Sequence, residues 1–304
     1  MVDTIKAVID TDPGADDALA LMMALGAPRL SVLGLTTVGG NASLANTTRN
    51  ALRLLHYLDR GDVPVSRGAG RPLEGAFQYA PYYHGRGGLP VRLPRADAGV
   101  VGVTAADYLI SLASAFRGEL TIIALGPLTN VARAIDKEPR VAGWVKDVVV
   151  MGGAVEVPGN VTPHAEFNIF NDPKAADVVF SSGVPVTLIG LDVCDDVYLE
   201  MRDTDLLDSG TASGDLQRRI VSAWFALHPE SERFSLCDPL AVAAALRPDL
   251  MTYRTASVRT EATDQARLGK TTAWYGPGPV KVATAVRAED AKAEIIAMLR
   301  RQPV

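Results

Sequence analysis

Hydrophobic positions in this chain come in short β-branched runs separated by longer stretches with helical periodicity. "AVID" precedes a helical stretch at 15–26, "LSVLGLTTV" precedes 43–59, and "LTIIALG" precedes 127–136. "VPVSRG", "VKDVVVMGG" and "VPVTLIGLDV" read as further strands, and 104–116, 172–182, 215–227, 238–246 and 288–300 as further helices. Such alternation predicts βα units around a mostly parallel sheet. The strand runs are apolar almost throughout, as expected where helices cover both faces. The expectation is therefore an α/β fold: an open, doubly wound, mostly parallel sheet with a Rossmann-like core, flanked by helices. "RLPRADAGVVG" and "YRTASVRTEATDQARLGKTTAWYGPGPVK" break the pattern and read as surface excursions or a small added hairpin. With no repeat and no linker, residues 1–304 read as a single domain.

Composition narrows the partners. A net charge of -5 and no linear run of Lys or Arg argue against nucleic acid or an anionic membrane, and leave small molecules. The two cysteines, Cys194 and Cys237, cannot form a disulfide framework and suit a reducing compartment. An N-terminus without an apolar core, and the lack of any run long enough to span a membrane, complete the expectation of a cytoplasmic protein.

In open parallel sheets, ligands bind beyond the C-terminal strand ends. Here those ends carry "DTDPGADD", "GGN", "LGPLTN", "MGGAVEVPGN…EFNIFNDP" and "LDVCDD", so oxygen-bearing side chains and glycines gather on one edge. The first of these crowds Asp10, Asp12, Asp16 and Asp17 where a strand turns into a helix. One acid at a helix N-terminus is favourable, whereas four repel one another. An oxygen-rich cluster suits a hard cation such as Ca²⁺ or Mg²⁺, whereas Zn²⁺ calls for His or Cys ligands. The EF-hand pattern fails, because its fifth position is Gly14 and its twelfth is Leu21. A phosphoryl-transfer turn with Asp10 as nucleophile and Asp12 as acid/base leaves Asp16 and Asp17 without a task. A helix start decorated with acids is the remaining structural reading.

"DTDPGADDALAL" resembles the DxDPGxDD fingerprint of the inosine–uridine preferring nucleoside hydrolase family. "TTVGGN", "HGRGGL", "ALGPLTNVA", "VVVMGGA", "GNVTPHAEFNIFNDPKAA" and "CDPLAV" follow in the order that family has them. The resemblance implies Ca²⁺-dependent hydrolysis of the N-glycosidic bond of ribonucleosides to free base and ribose. It implies that Asp12, Asp17, the Leu125 carbonyl and Asp238 hold the metal, and that Asp12 also activates a metal-bound water. It further implies that Asp16, Asn41, Met151, Asn160, Glu166, Asn168 and Asp238 grip the nucleoside around an oxocarbenium-like transition state. Homodimers or homotetramers, and a place in nucleoside catabolism and salvage, come with the resemblance.

The residues have plainer readings too. Asn160 follows a glycine and suits a turn, and Asp238 with Pro239 suits a helix N-terminus. Glu166 and Asn168 are two apart, which on an extended segment points both one way and Phe167 the other. Many family members have His-Asp where this chain has Cys237-Asp238, which resembles a cysteine-bearing subgroup. A thiol is a weak donor, so the proton for the departing base falls to Cys237, His84 in "YYHGRGGL", His228, or solvent. Two other activities compete with turnover of nucleosides: binding without catalysis, and phosphate-ester hydrolysis on Asp10 and Asp12.

Overall fold

The computed structural model describes residues 4–301. Eleven strands appear in chain order: β1 Ile5–Thr11, β2 Leu30–Thr37, β3 Val65–Arg67, β4 Leu120–Ala124, β5 Asp147–Met151, β6 Val186–Ile189, β7 Tyr198–Leu199, β8 Phe234–Ser235, β9 Met251–Thr260, β10 Thr271–Tyr275 and β11 Val280–Val286. The α-helices are α1 Ala15–Leu25, α2 Leu44–Tyr57, α3 Pro81–His84, α4 Ala105–Ala115, α5 Thr129–Lys137, α6 Val141–Trp144, α7 Phe167–Asn171, α8 Pro173–Ser181, α9 Leu191–Cys194, α10 Ala212–Leu227, α11 Cys237–Leu246 and α12 Ala288–Leu299. Nine strands form one sheet in the order β10-β9-β11-β6-β5-β4-β1-β2-β3. From β3 across to β11 the pairing is parallel, while β9 runs antiparallel to both β11 and β10. The fold is thus the α/β arrangement the hydrophobic pattern predicts.

Successive β1 residues alternate between the two cores. Ala7 and Ile9 join the cluster under α1, α2, α10, α11 and α12, whereas Val8 joins the one under α4, α5 and α8. Helix α1 packs against α10, α11 and α12, and is apolar nearly all round because it is buried nearly all round. Strand order reverses between β1 and β4, which places a crevice beyond the C-terminal ends of those two strands. Both acidic and glycine-rich turns open into it.

The segment read from sequence as an excursion or added hairpin builds β9, β10 and the start of β11, and so widens the main sheet. Its alternation of buried and exposed positions fits antiparallel strands covered on one face only. "RLPRADAGVVG" does run irregularly, with Val101 bridging Ser66 of β3 and donating its N–H to the Val65 carbonyl at 2.8 Å. No helix among the described residues is long and apolar enough to cross a membrane.

Candidate active site

The carboxylate turn is ordered by hydrogen bonds that the acids themselves accept. Asp17, in the first turn of α1, takes the Thr11 hydroxyl at 2.6 Å and the Asp12 N–H at 3.3 Å on Oδ1. Its Oδ2 takes the Gly14 N–H and the Asn41 amide, both at 2.9 Å. A side chain reaching back to the residue before the helix satisfies N–H groups that have no intrahelical partner. Asn41 also donates its backbone N–H to Asp12 Oδ2 at 2.6 Å, and so joins two of the acids.

Asp12 Oδ1 is buried and has no hydrogen-bond partner among the described residues. A buried carboxylate oxygen without a partner costs a large part of its hydration, so this one is waiting for a cation or a proton. Burial, then the charge of Asp17, holds Asp12 well above the usual carboxylate range. Two glycines make room for it: a Cβ on Gly40 would lie 2.1 Å from Asp12 Oδ2, and one on Gly126 would lie 2.4 Å from Oδ1. The Gly126→Ala variant is therefore expected to push the carboxylate aside and cut turnover by about a hundredfold, since displacement by ~1 Å costs that much. Steady-state ribose release with an unchanged circular dichroism spectrum checks it.

Asp16, Asp17 and Asp238 each bring a carboxylate oxygen within 4.8 Å of the others. One ion with bonds of about 2.4 Å reaches all three. Asp238 stands at the start of α11, which the chain brings against α1. Burial, then Asp16, Asp17 and Asp12, raises Asp238 far above its ordinary value, and burial with Asp17 lifts Asp16 to about 7. An all-oxygen donor set with this much uncompensated charge fits a divalent hard cation. Asp12, expected among the metal ligands, lies outside this group of three, and Asp16, expected on ribose, is inside it. The Leu125 carbonyl accepts the Asn168 amide at 2.8 Å and lines the same cavity.

That cavity is walled by Asp16, Asn41, Met151, Asn160, Glu166, Asn168, His84, Cys237 and Asp238, so the residues expected on the nucleoside converge from distant parts of the chain. Glu166 caps α7, with Oε1 on the Asn168 N–H at 2.9 Å and Oε2 on the Ile169 and Gly153 N–H groups at 3.1 and 3.0 Å. The parity argument for Phe167 fails for this reason. The segment is a helical turn rather than an extended strand, and Phe167 lines the cavity with its neighbours. Asn168 Nδ2 also reaches the Met151 carbonyl at 3.2 Å, while Asn160 Oδ1 holds the Phe167 N–H at 2.9 Å.

The proposed proton donors separate clearly. His84 accepts the Ala15 N–H on Nδ1 at 3.1 Å, which assigns its proton to Nε2, and burial drops its pKa to about 3. It is a neutral donor in the cavity wall. Cys237 also lines the cavity, with its thiol held far above its usual range by the Cys194 thiol and by burial. His228 does not line it. Its ring stacks on Trp224 at 4.2 Å between centroids, and its nitrogens lie 2.8 and 2.9 Å from the Trp224 and Tyr82 carbonyls. Asp10 lies behind the cavity lining, as Asp12 and Asp17 do, with its Oδ1 held by Thr36 and Asn130 at 2.6 and 2.7 Å. Sequence reasoning missed the support given by Asn130, which ties Asp10 to the Thr37 carbonyl and the Ala69 N–H.

Comparison with known proteins decides what this cavity belongs to. The family model described as inosine-uridine preferring nucleoside hydrolase matches residues 7–293. The chain belongs to that family. A nucleoside hydrolase cleaves the N-glycosidic bond of ribonucleosides, and this one is similar to curated and solved members over most of its length. It is 40% identical to uridine nucleosidase 1 of Arabidopsis thaliana over 93% of this chain and 90% of that protein. It is 36% identical to a pyrimidine-specific ribonucleoside hydrolase of Escherichia coli, over 81% and 80%. Among solved structures, a plant nucleoside hydrolase superposes with a TM-score of 0.91 at 37% identity, covering 98% of both chains. A purine-preferring ribonucleoside hydrolase from Gardnerella vaginalis gives 0.93 at 29%, covering 98% of this chain and 99% of that one.

Proposed function

We propose that this nucleoside hydrolase is Ca²⁺-dependent and uses Asp12 as the general base. The observation that carries the reading is the orphaned Asp12 Oδ1 beside three carboxylates, Asp16, Asp17 and Asp238, whose oxygens one ion can reach. When bound, the cation supplies the positive charge that lets these acids stay ionised and favours loss of a proton from water. Asp12 Oδ1 accepts that proton as the water oxygen adds to C1′ of the sugar. The electron pair of the breaking C1′–N bond leaves with the base. Asp16 and Glu166 present negative charge to a sugar that turns cationic on the way, and such contacts strengthen in the transition state.

His84 and Cys237 serve the base as neutral donors rather than as acids. At neutral pH a group depressed to about 3 has no imidazolium proton to give, but its Nε2–H still donates a hydrogen bond. Tyr82, Tyr83 and Phe167 supply aromatic walls for a flat base. Uridine is the first substrate to try, because a relative 40% identical is named for it.

The test is a panel of uridine, cytidine, inosine, adenosine and p-nitrophenyl phosphate, with ribose and phosphate release measured with and without chelator. Chelator-sensitive ribose release from uridine is expected. Ribose release untouched by complete chelation would sink the metal reading.

A further inference from the structure

Six arginines scattered between residues 49 and 95 come together on one side of the molecule, away from the nucleoside cavity. Arg49 and Arg53 stand one turn apart on α2, Arg67 ends β3, and Arg86, Arg92 and Arg95 come from the connection between α3 and α4. They line two adjoining cavities that share Arg49 and Arg53: one of about 630 Å³ with Arg67 and Arg95, and one of about 480 Å³ with Arg86 and Arg92. Neither shares a lining residue with the cavity of the active site.

None of the six forms an ion pair among the described residues, and the polar contact Arg49 does make is to the Asn46 side-chain oxygen Oδ1. Elsewhere arginines find carboxylates readily, as in Arg60–Asp62, Arg140–Glu138 and Arg247 with Asp249 and Glu294. The one carboxylate on the groove walls, Asp97, pairs with none of them. Gathering cations without counter-charge is unfavourable, and in a chain of net charge -5 it is a local reversal of the average. The wall of the second cavity is braced where Asn50 Nδ2 donates to the Pro13 carbonyl at 3.2 Å and to the Gly87 carbonyl at 2.9 Å.

We propose that this groove is a second ligand site, for a small anion carrying a chain of two or three phosphates, either free or attached to a nucleoside. Guanidinium groups present forked donors that match phosphate oxygens, and two linked pockets of cavity size suit a compact polyanion. A single phosphate would leave most of the arginines unmatched. No aromatic side chain lines either cavity, so the stacking platform that single-stranded nucleic acid needs is missing.

The experiment is calorimetric titration of the full chain with sodium tripolyphosphate, ATP and a uridine homo-oligonucleotide RNA, at about 50 mM salt and again at about 300 mM. Saturable binding of tripolyphosphate or ATP is expected, weakening as salt rises. The double variant Arg53→Ser/Arg95→Ser is expected to bind at least about tenfold more weakly while hydrolysing uridine at the wild-type rate. Asp238→Ala is expected to bind as wild type does, which separates the groove from capture of a cation at the acidic cluster. Equal affinity for tripolyphosphate and ATP assigns recognition to the phosphate chain alone; tighter ATP adds its nucleoside. Absence of binding at about 1 mM, binding indifferent to the arginine changes, or tighter binding of the RNA would each overturn the proposal.

Discussion

Asp12→Asn lowers kcat for ribonucleoside hydrolysis by about a thousandfold, in the range that loss of a general base costs, and leaves KM within about threefold. Asparagine keeps the shape and can still accept the Asn41 N–H, but it has no oxygen able to take a proton from water. The same change removes one negative charge from a buried group of acids that repel each other, so metal-free Asp12→Asn is expected to melt no lower than wild type. That pairing of readouts distinguishes a lost base from a damaged fold. Ribose release within tenfold of wild type would assign the proton to another group.

Removal of the divalent cation is expected to lower activity by at least about a hundredfold, with recovery on adding Ca²⁺. Stability supplies an independent readout with a definite sign. Asp10 and Asp16 are raised to about 7, above the ordinary value of 3.8, so folding binds protons through them. Their favourable contribution is complete below the unfolded value and is lost as pH climbs through about 7. Metal-free protein should therefore lose thermal stability between pH 5 and pH 8, and Ca²⁺ should restore more of it at pH 8. In a chain of this size each kcal/mol shifts Tm by about 2 °C, so a difference of ~5 °C at pH 8 is readable by differential scanning fluorimetry. Equal stabilisation at both pH values would show that the cation does not bind at these acids.

The acids at the strand ends were legible in the sequence because nothing structural accounts for so many charges beside apolar runs. Asp12, Asp16 and Asp17 stand where a sheet of this topology opens its crevice, whereas Asp238 came from the family resemblance, since by itself it reads as a helix start. Glu166 and Asn168 came from the family resemblance, and the strand alternation offered beside it does not hold, since their segment caps a helix and Phe167 shares their cavity. His84 could be placed near the base but its protonation could not, because that depends on the Ala15 N–H contributed from the far side of the site. His228 looked equivalent to it in sequence and is absorbed into an aromatic cluster with Tyr83 and Trp224. The arginine groove was invisible for the opposite reason: its members are spread along the chain and no linear window contains enough of them.

Helix α1 is enclosed by α10, α11 and α12, all of which come from the last third of the chain. During synthesis, its apolar surface and the acids at its N-terminus leave the ribosome long before any of that cover exists. The early half of this protein thus spends tens of seconds with a greasy helix exposed, at the usual pace of translation. The acidic cluster is therefore complete only once Asp238 and the rest of α11 have been made.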